Sequence, residues 1–177
     1  FDITPSVFTY EFAKALSYEA ERKEKVTKIH IKIDTGMSRI GFLAGEDNEE
    51  IVDEIIKISK LPYIEIEGIF SHFATSDEYD KSYTLLQYGR FMDVCNRLEE
   101  KGLNIPIKHI CNSAGIMMYP EMHLDMVRPG VILYGMYPSD EVDKSRLDLI
   151  PAMTLKSTIT HIKEVEPGRG VSYGKEY

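Results

Sequence analysis

Four clusters of polar residues with catalytic or binding potential lie along the chain, each after an apolar segment. Every cluster contains a charged or hydrogen-bonding side chain, the types from which active sites are built. Aspartate, glycine, asparagine and serine also form ordinary turns, so any one cluster alone could be no more than a turn. Four such clusters at strand ends favour one shared site instead. The clusters are Asp34 with Arg39, His72, Asn112 with Ser113, and Arg128 with Gly130.

The segments before these clusters have the character of β-strands. Apolar residues alternate over residues 26–33, and residues 64–70 form a second apolar run, so both predict strands. Residues 105–110 and 124–127 are shorter apolar segments that precede the last two clusters. Each cluster is therefore predicted to lie at or just after the end of a different strand.

Helical patterns separate the strand patterns. Apolar residues with helical spacing predict helices over residues 6–23, with Ser6 as the N-cap, over 48–60 and over 79–101. A repeating strand–loop–helix unit gives parallel strands with right-handed crossovers. In a barrel of such strands the carboxyl ends meet at one rim, where active sites form. The sequence thus predicts that Arg39, His72, Ser113 and Arg128 share one rim.

The pattern changes near Pro151. Residues 154–165 alternate as a long strand, a turn signal follows at 166–168, and no helix pattern comes after it. We therefore predict an α/β region over residues 1–137, a linker over 138–150, and the start of a β domain over 151–177. No Gly-x-Gly-x-x-Gly turn follows any strand, which weighs against a dinucleotide-binding domain.

Composition excludes several classes of protein. The formal net charge is −8, and no long basic block offsets it, so a nucleic-acid partner is disfavoured. Cys95 and Cys111 are too few for a disulfide framework and lack metal-ligand spacing, so no metal site is predicted and a reduced, cytoplasmic protein is expected. No apolar run approaches the roughly 20 residues of a membrane helix. The first residue is Phe1 rather than Met, and both ends have the character of cut ends.

Five motifs resemble those of bacterial alanine racemases, in the same order along the chain. Any one of them alone would be a weak match, but together they cover almost the whole sequence. The motifs are Asp-Thr-Gly-Met-Ser-Arg-Ile-Gly at 34–41, Ser-His-Phe-Ala at 71–74, Asn-Ser-Ala at 112–114, Val-Arg-Pro-Gly at 127–130 and Val-Ser-Tyr-Gly at 171–174.

The resemblance implies a fold, an activity and a cofactor. Family members are head-to-tail homodimers in which a (β/α)8 TIM-like barrel precedes a β-rich domain. They interconvert L- and D-alanine with pyridoxal 5'-phosphate, held by a lysine as a Schiff base, and so supply D-alanine for peptidoglycan. The chain would then span the second half of the barrel and the first strands of the β domain. The family's Ala-Val-Val-Lys segment with that lysine is absent from this sequence, so we expect the isolated chain to be inactive.

The resemblance also implies roles for the cofactor-binding residues. Arg128 matches the arginine that faces the cofactor's ring nitrogen, and an arginine there cannot pass a proton to the ring. Ser113, with the backbone of Gly130 and Val131, matches the cradle for the phosphate. Asn112 is expected to support this cradle.

The remaining matches concern the substrate. Tyr173 matches a tyrosine that acts as a base across the dimer interface, and Arg39 matches an arginine near the substrate carboxylate. His72 matches a histidine beside the cofactor that orients Arg128, although a buried structural histidine is an equal alternative for His72 alone. Lys32 matches a lysine that is carbamylated in some members.

Three related functions remain as alternatives. A serine or broad-specificity racemase shares these motifs, and the residues that distinguish it lie outside this sequence. A non-catalytic pyridoxal-phosphate-binding barrel lacks the β domain, so the Val-Ser-Tyr-Gly segment argues against it. A decarboxylase of related fold has a carboxylate where this chain has Arg128.

Overall fold

Parallel strands joined by helices define the architecture of this chain. The computed structural model describes residues 3–175. Its strands are β1 (Ser6–Val7), β2 (Thr27–Asp34), β3 (Phe42–Leu43), β4 (Ile64–Phe70) and β5 (Ile107–His109). Its α-helices are α1 (Tyr10–Arg22), α2 (Glu49–Ser59), α3 (Ser82–Glu100) and α4 (Ser113–Met118). Short 3-10 helices follow at Pro120–Met122, Val131–Tyr134, Lys144–Arg146 and Tyr173–Lys175.

The sheet is entirely parallel within the described residues. Its strand order is β1-β2-β4-β5, and β3 pairs with the end of β2. The register between β2 and β4 shifts at Ile29/His30, so that Ile29 lies opposite Ile66 and His30 lies opposite Gly68. The predicted α/β class with helical crossovers is confirmed.

The core lies between the sheet and the helices. Ile29, Ile31 and Ile33 of β2 are fully buried, since their side chains alternate onto the helix-covered face. Helix α2 contributes Val52, Ile55 and Ile58 at helical spacing, and α3 contributes Phe91, Val94 and Leu98. The apolar side chains of the strands and helices therefore pack into one core cluster. This packing fixes the carboxyl ends of the strands relative to each other.

The first helix begins later than the sequence pattern predicts. Ser6 does not cap it, because Ser6 and the buried Val7 form β1 and pair with His30 and Ile31. The helix begins at Tyr10, and Thr9 is its N-cap, accepting a hydrogen bond from the Phe12 N–H at 3.2 Å. The predictions for α2 and α3 are confirmed to within three residues at each end.

Two predicted strand segments are not strands in the structure. Residues 124–127 only run beside β5, where Asp125 N–H donates to Lys108 O at 3.1 Å, and Leu124 has φ +54°. Residues 154–165 form no strand and are exposed, with Leu155 95% accessible. A strand needs a neighbour for its backbone hydrogen bonds, and within residues 3–175 none pairs with this segment.

Among the described residues, no helix combines the length and the apolar character needed to cross a bilayer.

Candidate functional site

The guanidinium group of Arg128 contacts the chain at the ends of two strands, next to two other predicted polar clusters, His72 and Asn112 with Ser113. Its Nη2 donates to the Ser71 carbonyl oxygen at 2.6 Å and to the Ile110 carbonyl oxygen at 3.4 Å, and it lies 3.4 Å from His72 Nδ1. These partners follow β4 and β5 directly, so the two strand ends converge on one side chain. Arg128 itself follows no strand, yet its N–H donates to Cys111 O at 3.0 Å, which holds it at the same edge.

A cleft of about 320 Å³ opens beside this arginine. Such a volume lies at the lower end of the range for small-molecule sites. All six predicted cofactor-binding residues therefore border one space. The lining residues are His72, Asp77, Asn112, Ser113, Ala114, Arg128, Gly130, Val131 and Pro138.

Hydrogen bonds of Asn112 and Ser113 shape one wall of the cleft. Ser113 Oγ accepts the Gly130 N–H at 2.8 Å, which joins the start of α4 to the loop after Arg128. Asn112 Oδ1 accepts from Gly115 N–H and from Ser76 Oγ, both at 2.9 Å. Asn112 thus caps α4 and braces the loop after β4, whereas the Ser113 hydroxyl lies at the cleft.

The loop after β2 carries Arg39 and is organised by one buried carboxylate. Asp34 accepts backbone N–H groups from Gly36, Met37 and Ser38 on Oδ1 and from Arg39 on Oδ2, at 2.9 to 3.0 Å. Burial raises the pKa of Asp34, but these backbone donors outweigh it and hold the pKa below its usual value. The carboxylate therefore stays ionised and fixes the backbone from which Arg39 projects.

Glycine at position 41 lets this loop return to the strand that it left. Gly41 has φ +134°, and a Cβ there would lie 2.5 Å from the backbone nitrogen of Asp34. Any larger residue would push the loop away from β2. The close return lets Phe42 pair with Ile33 as β3, so the whole loop is anchored at both ends.

A chain of hydrogen bonds behind Arg128 involves two histidines that the sequence analysis did not single out. Arg128 Nη1 contacts His109 Nδ1, His109 Nε2 lies 2.9 Å from His30 Nδ1, and His30 Nε2 lies 3.6 Å from Glu67 Oε2. The ring of Phe70 stacks on His109 with centroids 4.9 Å apart. These hydrogen-bonded residues lie on β5, β2 and β4, on the face of the sheet opposite the helix-covered face.

The direction of these hydrogen bonds follows from the chemistry of arginine. Arg128 can only donate, so His109 Nδ1 accepts and the His109 proton resides on Nε2. His109 then donates to His30 Nδ1, which leaves the His30 proton on Nε2, toward Glu67. Burial, followed by the charge of Arg128, lowers the pKa of His109 to about 3, and burial also lowers that of His30. Both rings are therefore neutral near pH 7. His109 contacts Arg128 directly, and His30 in turn contacts His109.

Two further titratable groups face Arg128. Burial and then Arg128 lower the pKa of His72 to about 4, so its ring is neutral. Burial lowers the pKa of Lys32 to about 8, with Asp34 opposing this effect and Arg128 and Arg39 adding to it. Lys32 is only 4% exposed, and its Nζ donates to Ile33 O at 2.9 Å. Near pH 7 the rim therefore combines the cations of Arg128 and Lys32 with neutral histidines, a setting that favours anionic ligands.

Tyr173 is the predicted site residue that the structure does not bring to this rim. Its side chain is fully exposed and lies in the 3-10 helix Tyr173–Lys175. Arg39, His72, Ser113 and Arg128, by contrast, all lie at the carboxyl edge of the sheet, as the sequence predicts.

Replacement of Arg128 by methionine tests the electrostatics of this rim. Without the cation, the pKa values of His72 and His109 should both rise from about 4 and about 3 toward 6.5, because one of their two main lowering influences is lost. NMR titration of the histidine ring protons in this 177-residue chain measures both values. Arg97→Met, which removes an arginine paired with Asp93 on α3, is the control. Unchanged titration in Arg128→Met would contradict the geometry described here.

Comparison with known proteins gives the same family across the chain. Residues 1–138 match the family model for the N-terminal domain of alanine racemase. An alanine racemase of Clostridium tetani is 56% identical over 177 residues, which is all of this chain and 45% of that protein. An alanine racemase of Methanococcus maripaludis is 51% identical over 173 residues, 98% of this chain and 46% of that protein. The chain thus spans about half the length of these curated relatives.

Experimental structures show the same relationship. Alanine racemase of Clostridium difficile 630 superposes with a TM-score of 0.85 at 51% identity, covering 99% of this chain and 45% of that one. Alanine racemase from a D-cycloserine-producing Streptomyces lavendulae gives a TM-score of 0.86 at 33% identity, covering 99% and 46%. Together with the polar rim around Arg128, these matches show that the chain belongs to the alanine racemase family, with the α/β fold of that family's N-terminal TIM-barrel domain.

Proposed function

We propose that the full-length protein interconverts L- and D-alanine by removing the Cα proton from one face and returning it on the other. The observation that carries this proposal is the convergence of Arg128, His72 and Ser113 on one cleft. High identity to proteins named alanine racemase supports the substrate.

Alanine racemases depend on pyridoxal 5'-phosphate, and the cleft has the features to hold it. The Ser113 hydroxyl and the backbone around Gly130 and Val131 are suited to a phosphate, because the chain approaches closely where Gly130 has no side chain. Arg128 would lie at the ring nitrogen. The cofactor would supply an electron sink for the negative charge left on Cα. Each of these groups borders the cleft already described.

Arg128 would restrain this chemistry rather than take part in proton transfer. Burial lowers its pKa to about 10, but it stays charged near neutral pH and makes four polar contacts in this structure. A group that keeps its own protons leaves the ring nitrogen unprotonated, so side reactions such as transamination are disfavoured. We infer that His72 and His109 orient Arg128, since both rings are neutral and contact it directly.

Arg39 and Tyr173 would act on the substrate. A planar guanidinium is suited to a carboxylate, and Asp34 fixes the backbone that carries Arg39. Tyr173 would hold or remove the Cα proton on one face of the substrate bound at the partner subunit. Its full exposure in this chain is compatible with a role at an interface between two subunits.

Lys32 would be carbamylated and would then brace Arg39 as an anion. Carbon dioxide reacts only with a neutral amine, and the pKa of Lys32 is lowered to about 8, so carbamylation should increase as pH rises through about 8. NMR of the chain in ¹³C-bicarbonate measures the carbamyl carbon, and Lys32→Met should remove the signal. Absence of a Lys32-dependent signal on both sides of about pH 8 would refute the modification.

The direct test of the proposed function uses the full-length protein with added pyridoxal phosphate. L-Alanine should be converted to D-alanine, measured by chiral chromatography, and L-serine should be converted more slowly. Faster conversion of serine would identify a serine or broad-specificity racemase. Cofactor binding without conversion of either amino acid would identify a non-catalytic binding protein.

We also propose a location, an oligomeric state and a biological role for the full-length protein. A cytoplasmic homodimer that supplies D-alanine for peptidoglycan is the arrangement that the family resemblance favours. Growth of a strain without the gene should then depend on added D-alanine, and growth without D-alanine would count against this role.

A further inference from the structure

One face of α3 is directed at the loops that carry the proposed site residues. Tyr83, Gln87 and Arg90 lie at helical spacing along this face. Tyr83 Oη donates to Gly36 O at 2.8 Å, and Arg90 Nη1 donates to Thr35 O at 3.2 Å. Both contacts reach the loop after β2 alone.

Gln87 contacts two loops instead of one. Its Nε2 donates to Thr35 Oγ1 at 3.2 Å and to the His72 carbonyl oxygen at 3.1 Å. Its Oε1 accepts the Ala74 N–H at 2.8 Å. The side chain is fully buried. Because the Ala74 N–H needs an acceptor and the His72 carbonyl needs a donor, only one orientation of the amide serves both.

A second buried contact continues this bridge. Thr35 Oγ1 lies 2.8 Å from Ser71 Oγ, and both residues are fully buried. Since Thr35 accepts from Gln87, its own hydroxyl proton is free to be donated to Ser71. The bridge therefore joins the start of the Arg39 loop to the segment that precedes His72.

We propose that Gln87 is a positioning residue, which fixes the loop carrying Arg39 relative to the loop carrying His72. The roles of Arg39 and His72 in this statement rest on the proposed function. Gln87 contacts neither the cleft nor the groups that would react, so it acts through the Thr35 hydroxyl and the backbone of His72 and Ala74.

The test compares three variants. Gln87→Leu removes the amide at similar volume and leaves donors and acceptors of both loops without their partner. Tyr83→Phe removes a contact to the loop after β2 alone. Asn96→Leu makes the same amide-to-leucine change at an exposed position of α3 and is the matched control.

The first measurement is hydrogen exchange of backbone amides in the 177-residue chain. Gln87→Leu should accelerate exchange about tenfold or more in residues 34–41 and also in 72–76, because buried groups of both loops lose a partner. Tyr83→Phe should affect only the first loop, and Asn96→Leu neither. Exchange in the core of α3 should stay unchanged in all three variants.

The second measurement is NMR titration of the two histidines that face Arg128. Burial lowers the pKa of His72, and the nearby charges of Arg128, Lys32 and Arg39 lower it further. A loosened loop would expose it, so its pKa should rise from about 4 toward 6.5 in Gln87→Leu. His109, which faces Arg128, His30 and Lys32 from β5, should titrate as in the parent and is an internal control.

In the full-length protein, Gln87→Leu should raise the KM for alanine severalfold, because Arg39 is displaced, with a smaller effect on kcat. Exchange that is unchanged in both loops, or raised equally throughout the chain, would overturn the proposal. If the full-length parent racemises no alanine, the proposed function fails, while the exchange and titration results still decide the role of Gln87.

Discussion

The isolated 177-residue chain is expected to form no D-alanine above the uncatalysed level, even with pyridoxal phosphate present. It lacks the family's lysine segment, so one of the two bases and the covalent anchor for the cofactor are absent. In addition, the described sheet has open edges at β1 and β5, whereas a barrel closes them. The measurement is chiral analysis of L-alanine after long incubation with purified chain.

The full-length protein under the same conditions is the positive control. Turnover by the isolated chain at a rate comparable to the full-length protein would show that the chemistry needs neither the lysine segment nor a closed barrel. That result would overturn the assignment of the two bases.

Tyr173→Phe in the full-length protein should lower racemisation by roughly 10²–10⁴-fold, the usual effect of losing a positioned acid–base group. The ring is retained and Tyr173 is fully exposed in this chain, so folding and cofactor binding should be unaffected. Exchange of the Cα proton with solvent deuterium should be lost for one enantiomer of alanine and survive for the enantiomer that the family's lysine serves.

Mixed dimers test whether this tyrosine acts across the subunit interface. A subunit with Tyr173→Phe and a subunit with Arg128→Met should together form one site that has both native residues. Mixing should therefore restore activity that neither variant has alone. If both enantiomers exchange at the parent rate in Tyr173→Phe, Tyr173 is not the second base.

Strand and helix periodicity in the sequence was sufficient to predict most of the framework. The alternation over 26–33 and the apolar run over 64–70 correspond to β2 and β4. Because parallel strands end at one edge, placing Arg39, His72 and Ser113 after strands was enough to predict their common rim. Register could not be predicted, since the shift between Ile29 and His30 depends on packing between strands.

The histidine chain behind Arg128 depends on that register, which explains why the sequence analysis missed it. His30 and Glu67 belong to different strands, and only the observed pairing brings them within 3.6 Å. One signal was present in the sequence: His30, Lys32 and Asp34 alternate with isoleucines along one strand. Three titratable residues on one face of a strand are equally typical of a solvent-exposed face, so this signal alone does not place them in a polar interior.

The prediction for residues 154–165 was wrong for a different reason. Alternation describes which face of a strand is apolar, but it cannot supply the neighbouring strand. In the structure Ile159 and Ile162 are exposed, at 76% and 83%. The proposal that residues 151–177 begin a β domain therefore rests on the family resemblance alone.

We propose that Cα proton exchange takes place at the rim around Arg128. The most direct measurement follows full-length protein, pyridoxal phosphate and L-alanine in deuterated water, for the parent and for Arg128→Met. The parent should form D-alanine that carries deuterium at Cα, and Arg128→Met should form it at least about 10²-fold more slowly, because the cofactor ring would lose the side chain that holds it in position. Equal rates in the two proteins, or no deuterated D-alanine from the parent, would contradict the claim.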